Sequence, residues 1–160
     1  MSKLNPYEGF LDGRPLEVIL AETSDKIAAQ IKAMGADKLT KEPAPGKWSA
    51  TEIIAHLAET EVVFAVRLRQ TLAEDAPTIQ PFDQDKWATT FSGISAQQAL
   101  EVFAPLRSWN LMLIAAALPQ SASRPVIHPE RGTMTFLTLV ETMAGHDINH
   151  LAQLQRLAIA

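Results

Sequence analysis

The sequence predicts an all-α protein, a four-helix bundle. Three observations predict it. Prolines and glycines gather between long stretches that nearly lack them, apolar residues recur at helical spacing in those stretches, and two of them open on capping boxes. No strand run and no internal repeat stands out. At 160 residues the chain, read as 1–160, is one domain.

The first helix is expected from about Pro15 to Met34, with Leu16, Ile19, Leu20, Ile27 and Ile31 near one stripe and Gly35 as its stop. Pro43, Pro45 and Gly46 mark a turn. The second helix opens at Ser49-Ala50-Thr51-Glu52, where the serine hydroxyl can accept the third amide and Glu52 can reach back to the cap. It runs to about Glu74, carrying Ile53, Leu57, Phe64 and Leu68 on one face. Residues 76–94 then form a long connection, with a short helical turn around Lys86 to Thr90. Connections of that length are uncommon in small domains and often cross a bundle or carry function. Ser95-Ala96-Gln97-Gln98 caps the third helix, which tolerates Pro105 at the cost of a kink and closes at Pro119. After a loop with Pro125, Pro129 and Gly132, the last helix begins near Thr133. Leu139, Met143, Leu154 and Leu157 mark its buried side.

Composition narrows the function. Hydrophobic residues make up 47% and charged residues 20%, a globular balance, and the net charge of −4 comes with no sustained basic patch. Nucleic acid and anionic membrane are therefore not expected as partners. The chain has no cysteine, which excludes disulfides, thiolate-bound zinc and a thiol nucleophile. The amino terminus lacks an apolar signal core, and unbroken apolar runs such as Leu111 to Leu118 fall far short of about 20 residues. A cytoplasmic location is the expectation.

Four histidines stand out: His56, His128, His146 and His150. A spacing of four puts His146 and His150 on one face of a helix, about 6 Å apart along the axis. They share the stripe that carries Leu139, Met143 and Leu157. Two buried imidazoles need partners, and a divalent metal would satisfy both. The blander alternative is that each finds a carbonyl or a carboxylate. A third ligand must come from upstream. His128, in the loop before the last helix, is about 20 Å away along the axis unless the loop folds back. His56 on the second helix is better placed if that helix runs antiparallel to the last. The long connection suits such an up-down-down-up order, and three imidazoles would leave coordination positions open.

Trp48-Ser49-Ala50-Thr51-Glu52-Ile53-Ile54-Ala55-His56-Leu57, the stretch His128 to Thr133, and His146-Asp147-Ile148-Asn149-His150-Leu151-Ala152-Gln153 together resemble the DinB/YfiT-like family of metalloenzymes. The resemblance runs from about residue 16 onward. It implies an up-down-down-up bundle, a divalent metal held by His56, His146 and His150, and often a homodimer. It also implies activities such as transfer of a low-molecular-weight thiol to an electrophilic small-molecule substrate, and a metal ion so held would equally suit hydrolysis. Zn²⁺, Ni²⁺ and Fe²⁺ all suit imidazole.

Asp147 and Glu59 are candidates to orient the ligating imidazoles. His146-Asp147-x-x-His150 is one methylene from the zincin motif, but Asp147 projects about 100° from His146 and is too short for that base. Arg67, Arg107 and Arg156 could meet an anionic substrate, with solvated surface charge as the simpler reading. Phe82, Trp87 and Phe91 could wall a pocket or merely anchor the connection, and Asp83-Gln84-Asp85 reads as a solvated turn and helix cap rather than a metal site. The alternative to an enzyme is a binding module that keeps a relic metal site.

Overall fold

The computed structural model describes residues 4–90 and 93–159. Phe91 lies outside them. Four long helices, α1 (Leu16–Leu39), α2 (Ala50–Ala73), α4 (Ala96–Ser121) and α5 (Phe136–Ile159), form the bundle; α3 (Gln84–Thr90) is a short helix in the connection.

Packing partners fix the direction of each helix. Thr23 meets Asp147 and Lys38 meets the carbonyl of Ala158, so α1 and α5 run parallel. Two apolar clusters, one at each end, complete the order. One joins Ile19 and Leu20 of α1, Phe64 and Leu68 of α2, Ile114 of α4 and Phe136, Leu139 and Val140 of α5. The other joins Ile27 and Met34, Ile53, Ile54 and Leu57, Ala96 to Phe103, and Leu151 and Leu154. α2 and α4 are therefore parallel neighbours, both antiparallel to α1 and α5. The order is up-down-down-up, as the long connection predicted.

Both capping boxes form. The Ser49 hydroxyl accepts from the Glu52 amide while Glu52 accepts from the Ser49 amide, and Ser95 and Gln98 repeat the arrangement. Pro105 and Pro119 are both accommodated inside α4, which ends at Ser121 rather than at Pro119.

Two expectations are corrected. Gly35 does not stop the first helix: it bends it, with φ 70° and ψ 167°, and helical backbone resumes as far as Leu39. Only glycine reaches that conformation cheaply. A strand pair was missed. β1 (Pro125–His128) and β2 (Gly132–Thr135) form a short antiparallel hairpin, so α5 begins at Phe136, three residues later than expected. The β1 edge also takes the start of the connection, through Ile79 N–H to Ile127 and Ile127 N–H to Pro77. Four-residue strands give too little alternation to read from sequence. The short helix of the connection forms as α3 from Gln84, and Asp83 accepts from the Lys86 amide as its expected cap.

By length and composition α4 could cross a membrane. Its middle, however, carries Arg107 and Asn110, which are buried and hydrogen-bonded to side chains of α2 and α5.

Candidate metal centre

The histidines sit midway along α5 and in the second turn of α2, between the two apolar clusters. α5 is amphipathic, and its buried face carries Leu139, Met143, His146, His150 and Leu154. α2 buries His56 beside Ile53 and Leu57. Because the helices are antiparallel, the three rings fall at one level. Their ligand atoms lie within 4.8 Å of one another, and no other group of three His, Cys, Asp or Glu residues among the described residues does this. The Nε2 atoms of His56 and His146 are 3.0 Å apart, and the rings of His146 and His150 have centroids 4.3 Å apart.

The surroundings keep these rings neutral. All three are at least 95% buried, with exposures of 1%, 4% and 5%. Burial pushes His56 down to about 3, aided by nearby His150. Burial also holds His146 well below the ordinary histidine value, with His150, His56 and Arg107 adding to it. His150 is lowered by burial too, but Gln153 and Asp147 oppose the shift. Neutral imidazole is the ligating form.

The donor set fits a divalent ion. His150 places Nδ1 2.9 Å from the Gln153 side-chain oxygen, which fixes Nδ1 as the donor and leaves Nε2 with a lone pair. That Nε2 is buried without a hydrogen-bond partner. Tetrahedral donors about 2.0–2.1 Å from one zinc ion lie about 3.3 Å apart. The 3.0 Å between His56 and His146 is close to that spacing. A buried nitrogen with no partner, beside two others at ligand spacing, is what a metal ion would complete.

Comparison with known proteins agrees with this geometry. The profile of the DinB superfamily matches residues 19–154. The chain belongs to the DinB superfamily. Its relatives include YfiT of Bacillus subtilis, 23% identical over 86% of this chain and 81% of YfiT. Another is an Oceanobacillus iheyensis protein, 20% identical over 82% of this chain and 77% of its own length. Both carry the name "putative metal-dependent hydrolase". The solved structure of YfiT superposes with a TM-score of 0.82 at 20% identity, covering 90% of this chain and 84% of that one, and is described as an unusual four-helix bundle.

Around its histidines, this DinB-superfamily chain departs from several sequence expectations. Asp147 hydrogen-bonds to no histidine. Its carboxylate accepts from the Thr23 hydroxyl and from both terminal nitrogens of Arg107, and it acts on His150 through charge alone. Arg107 is not surface charge: at 2% exposure it binds Asp147, Glu61 and the carbonyl of Leu20. Asn110 donates to the other Glu61 oxygen. This cluster ties α1, α2, α4 and α5 together beside the triad. Glu59 is half-buried, and its Oε2 has no partner. Burial raises its pKa. His128 stands apart at the end of β1, accepting from the Glu130 amide.

Three neighbours of the triad were missed as such. Gln153 orients His150. Trp48, packed on the second apolar cluster, lays its ring 4.9 Å from that of His56. Tyr7, in the segment before α1, meets His146 edge-on at 5.0 Å. That approach needs Gly145, where an added Cβ would stand 2.5 Å from the Tyr7 carbonyl oxygen.

Two cavities reach the histidines. One, of about 520 Å³, opens on His150 between Tyr7, Trp48, Ile53 and Leu157, with Gln84 and Asp85 of α3 on its wall. The other, of about 460 Å³, opens on His56 and Glu59, with Ala88 and Ile94 opposite. The 76–94 connection thus helps to wall both. Phe82 and Trp87 meet edge to face with centroids 5.2 Å apart, and Arg67 lies over Phe82.

Proposed function

We propose that the protein is a metal-dependent hydrolase whose ion is held by His56, His146 and His150. The observation that carries this reading is the buried, partnerless Nε2 of His150 facing two further imidazole nitrogens beside an open cavity. An ion held there would polarise a substrate carbonyl and bring a coordinated nucleophile toward ionisation at neutral pH. The chain's own residues supply the rest. Gln153 keeps His150 in the ligating tautomer. Asp147, gripped by Arg107 and Thr23, pins the turn of α5 that carries His146. Tyr7 and Trp48 cover the rings and limit the entry of water. Glu59, with a free oxygen and a raised pKa in the cavity at His56, is the group to accept a proton from the attacking nucleophile.

Thiol transfer is the second reading, supported by the presence of two cavities at one triad: a thiol could enter by one and an electrophile by the other. Turnover assays with ester and amide substrates, against electrophiles supplied with several cellular thiols, separate the two. Metal analysis of untagged protein tests both. About one equivalent of Zn, Ni or Fe is expected, falling below about 0.1 in His146→Ala. Equally low metal in the wild type after reconstitution would exclude the centre and leave a metal-free binding module.

A homodimer in the cytoplasm completes the proposal. Val62 and Val66 of α2 and Val102, Trp109 and Met112 of α4 are exposed on neighbouring helices, and a second copy would cover them. Light scattering at micromolar concentration should give twice the chain mass; the monomer mass would contradict it.

A further inference from the structure

Building on the metal-dependent reading, we propose that the substrate carries an anionic group, of which a carboxylate is the simplest, and that Lys47 and Arg156 at the mouth of the His150 cavity receive it. The cavity's volume of about 520 Å³ suits a small organic molecule. Trp48, Ile53 and Leu157 offer an apolar wall for its body. Two cations and one carboxylate, Asp85, complete the charged lining.

Most Lys and Arg among the described residues make no ion pair; what sets these two apart is that both line the cavity that opens on His150. Arg14, Lys26, Lys86 and Arg107 all hold carboxylates. Neither Lys47 nor Arg156 takes part in an ion pair among the described residues, although both line one cavity. Arg156 offers a planar fork that matches a carboxylate, and Lys47 a mobile point charge.

The opposite cavity sharpens the assignment. Glu42, Glu52 and Glu59 line it, and no Lys or Arg does. An anion is repelled from the His56 side and drawn to the His150 side. The pair of cavities therefore orients a substrate: its charged end rests at Lys47 and Arg156, and its reacting end points inward to the triad.

The test is calorimetric binding of a matched pair, 4-phenylbutanoate and 4-phenylbutan-1-ol, to the full-length protein stripped of metal, so that no ion draws the carboxylate. The acid should bind roughly tenfold tighter than the alcohol, and added salt should shrink the difference. Lys47→Gln with Arg156→Gln should abolish the preference while leaving alcohol affinity, helical circular dichroism and thermal midpoint unchanged. Equal affinities in the wild type, no acid binding up to roughly 10 mM, or a preference that survives the double substitution would each overturn the proposal. Metal content is measured in parallel. A preference for the acid in a protein that takes up no metal would uphold this assignment while refuting the metal centre, so the two fail separately.

Discussion

Arg107 carries the largest single-residue consequence. It pairs with two buried carboxylates, Glu61 and Asp147, and burial alone would disfavour its own charge. Removing one member of such a group leaves charge buried and uncompensated, which costs about 3–5 kcal/mol. Arg107→Met should therefore lower the urea-unfolding free energy by about that amount. Combining Arg107→Met with Glu61→Leu and Asp147→Leu should cost much less, because no charge is then left alone. Gly145→Ala should push Tyr7 away from His146 and cost about 1–3 kcal/mol. Faster protease cleavage within residues 5–11 would report the displaced segment, and unchanged cleavage would refute the contact. The legible residues were those whose partners lie nearby in sequence. His146 and His150 announce themselves by spacing, and His56 by its place on a neighbouring stripe. Arg107, Glu61 and Asn110 look like ordinary polar positions on apolar helices, because only the packing of distant segments shows that they meet. Tyr7 gave no signal at all, since its contact depends on a helix at the far end of the chain.

At the scale of elements, local chemistry was the more readable part. Both capping boxes were visible as four-residue patterns because their hydrogen bonds close within three residues. Ser49→Ala removes the cap of the helix that carries His56, and should cost about 1 kcal/mol in thermal unfolding. Gly35→Ala should also destabilise, by about 1 kcal/mol or more, because its φ of 70° lies where a side chain is strained. An unchanged midpoint would mean that α1 straightens without loss. Glycine predicts a break in the backbone path, but whether the helix stops or bends depends on the packing open to the residues after it. Here Leu39, beyond the bend, packs on the apolar cluster shared by α2, α4 and α5, which rewards continuing. The hairpin was unreadable for a different reason: β1 and β2 are stabilised by each other and by the edge contact with residues 77–79, not by a pattern of their own.

For the whole molecule, the interior histidines set the response to acid. In the unfolded chain they protonate near 6.5. In the folded, metal-free chain all three are held lower, His56 at about 3. The unfolded state therefore binds more protons below pH 6.5, and stability falls as pH drops from there toward 3, by up to about 1.4 kcal/mol per pH unit for each group. The EDTA-treated protein should lose thermal midpoint between pH 7 and 5, and His56→Gln should flatten that loss. A wild-type midpoint that stays level across this range would show that the rings are not held neutral. The topology itself followed from one number in the sequence, the length of the 76–94 connection, which is long enough to return the chain to the end it left.

The Tyr7 contact with Gly145 has a consequence for how the protein is made. The chain leaves the ribosome from its amino end, so the residues around Tyr7 emerge long before the helix they rest on. They must wait, solvated, while α1 to α4 and the hairpin are made. The wall over His146 is thus assembled only once α5 has emerged to receive Tyr7.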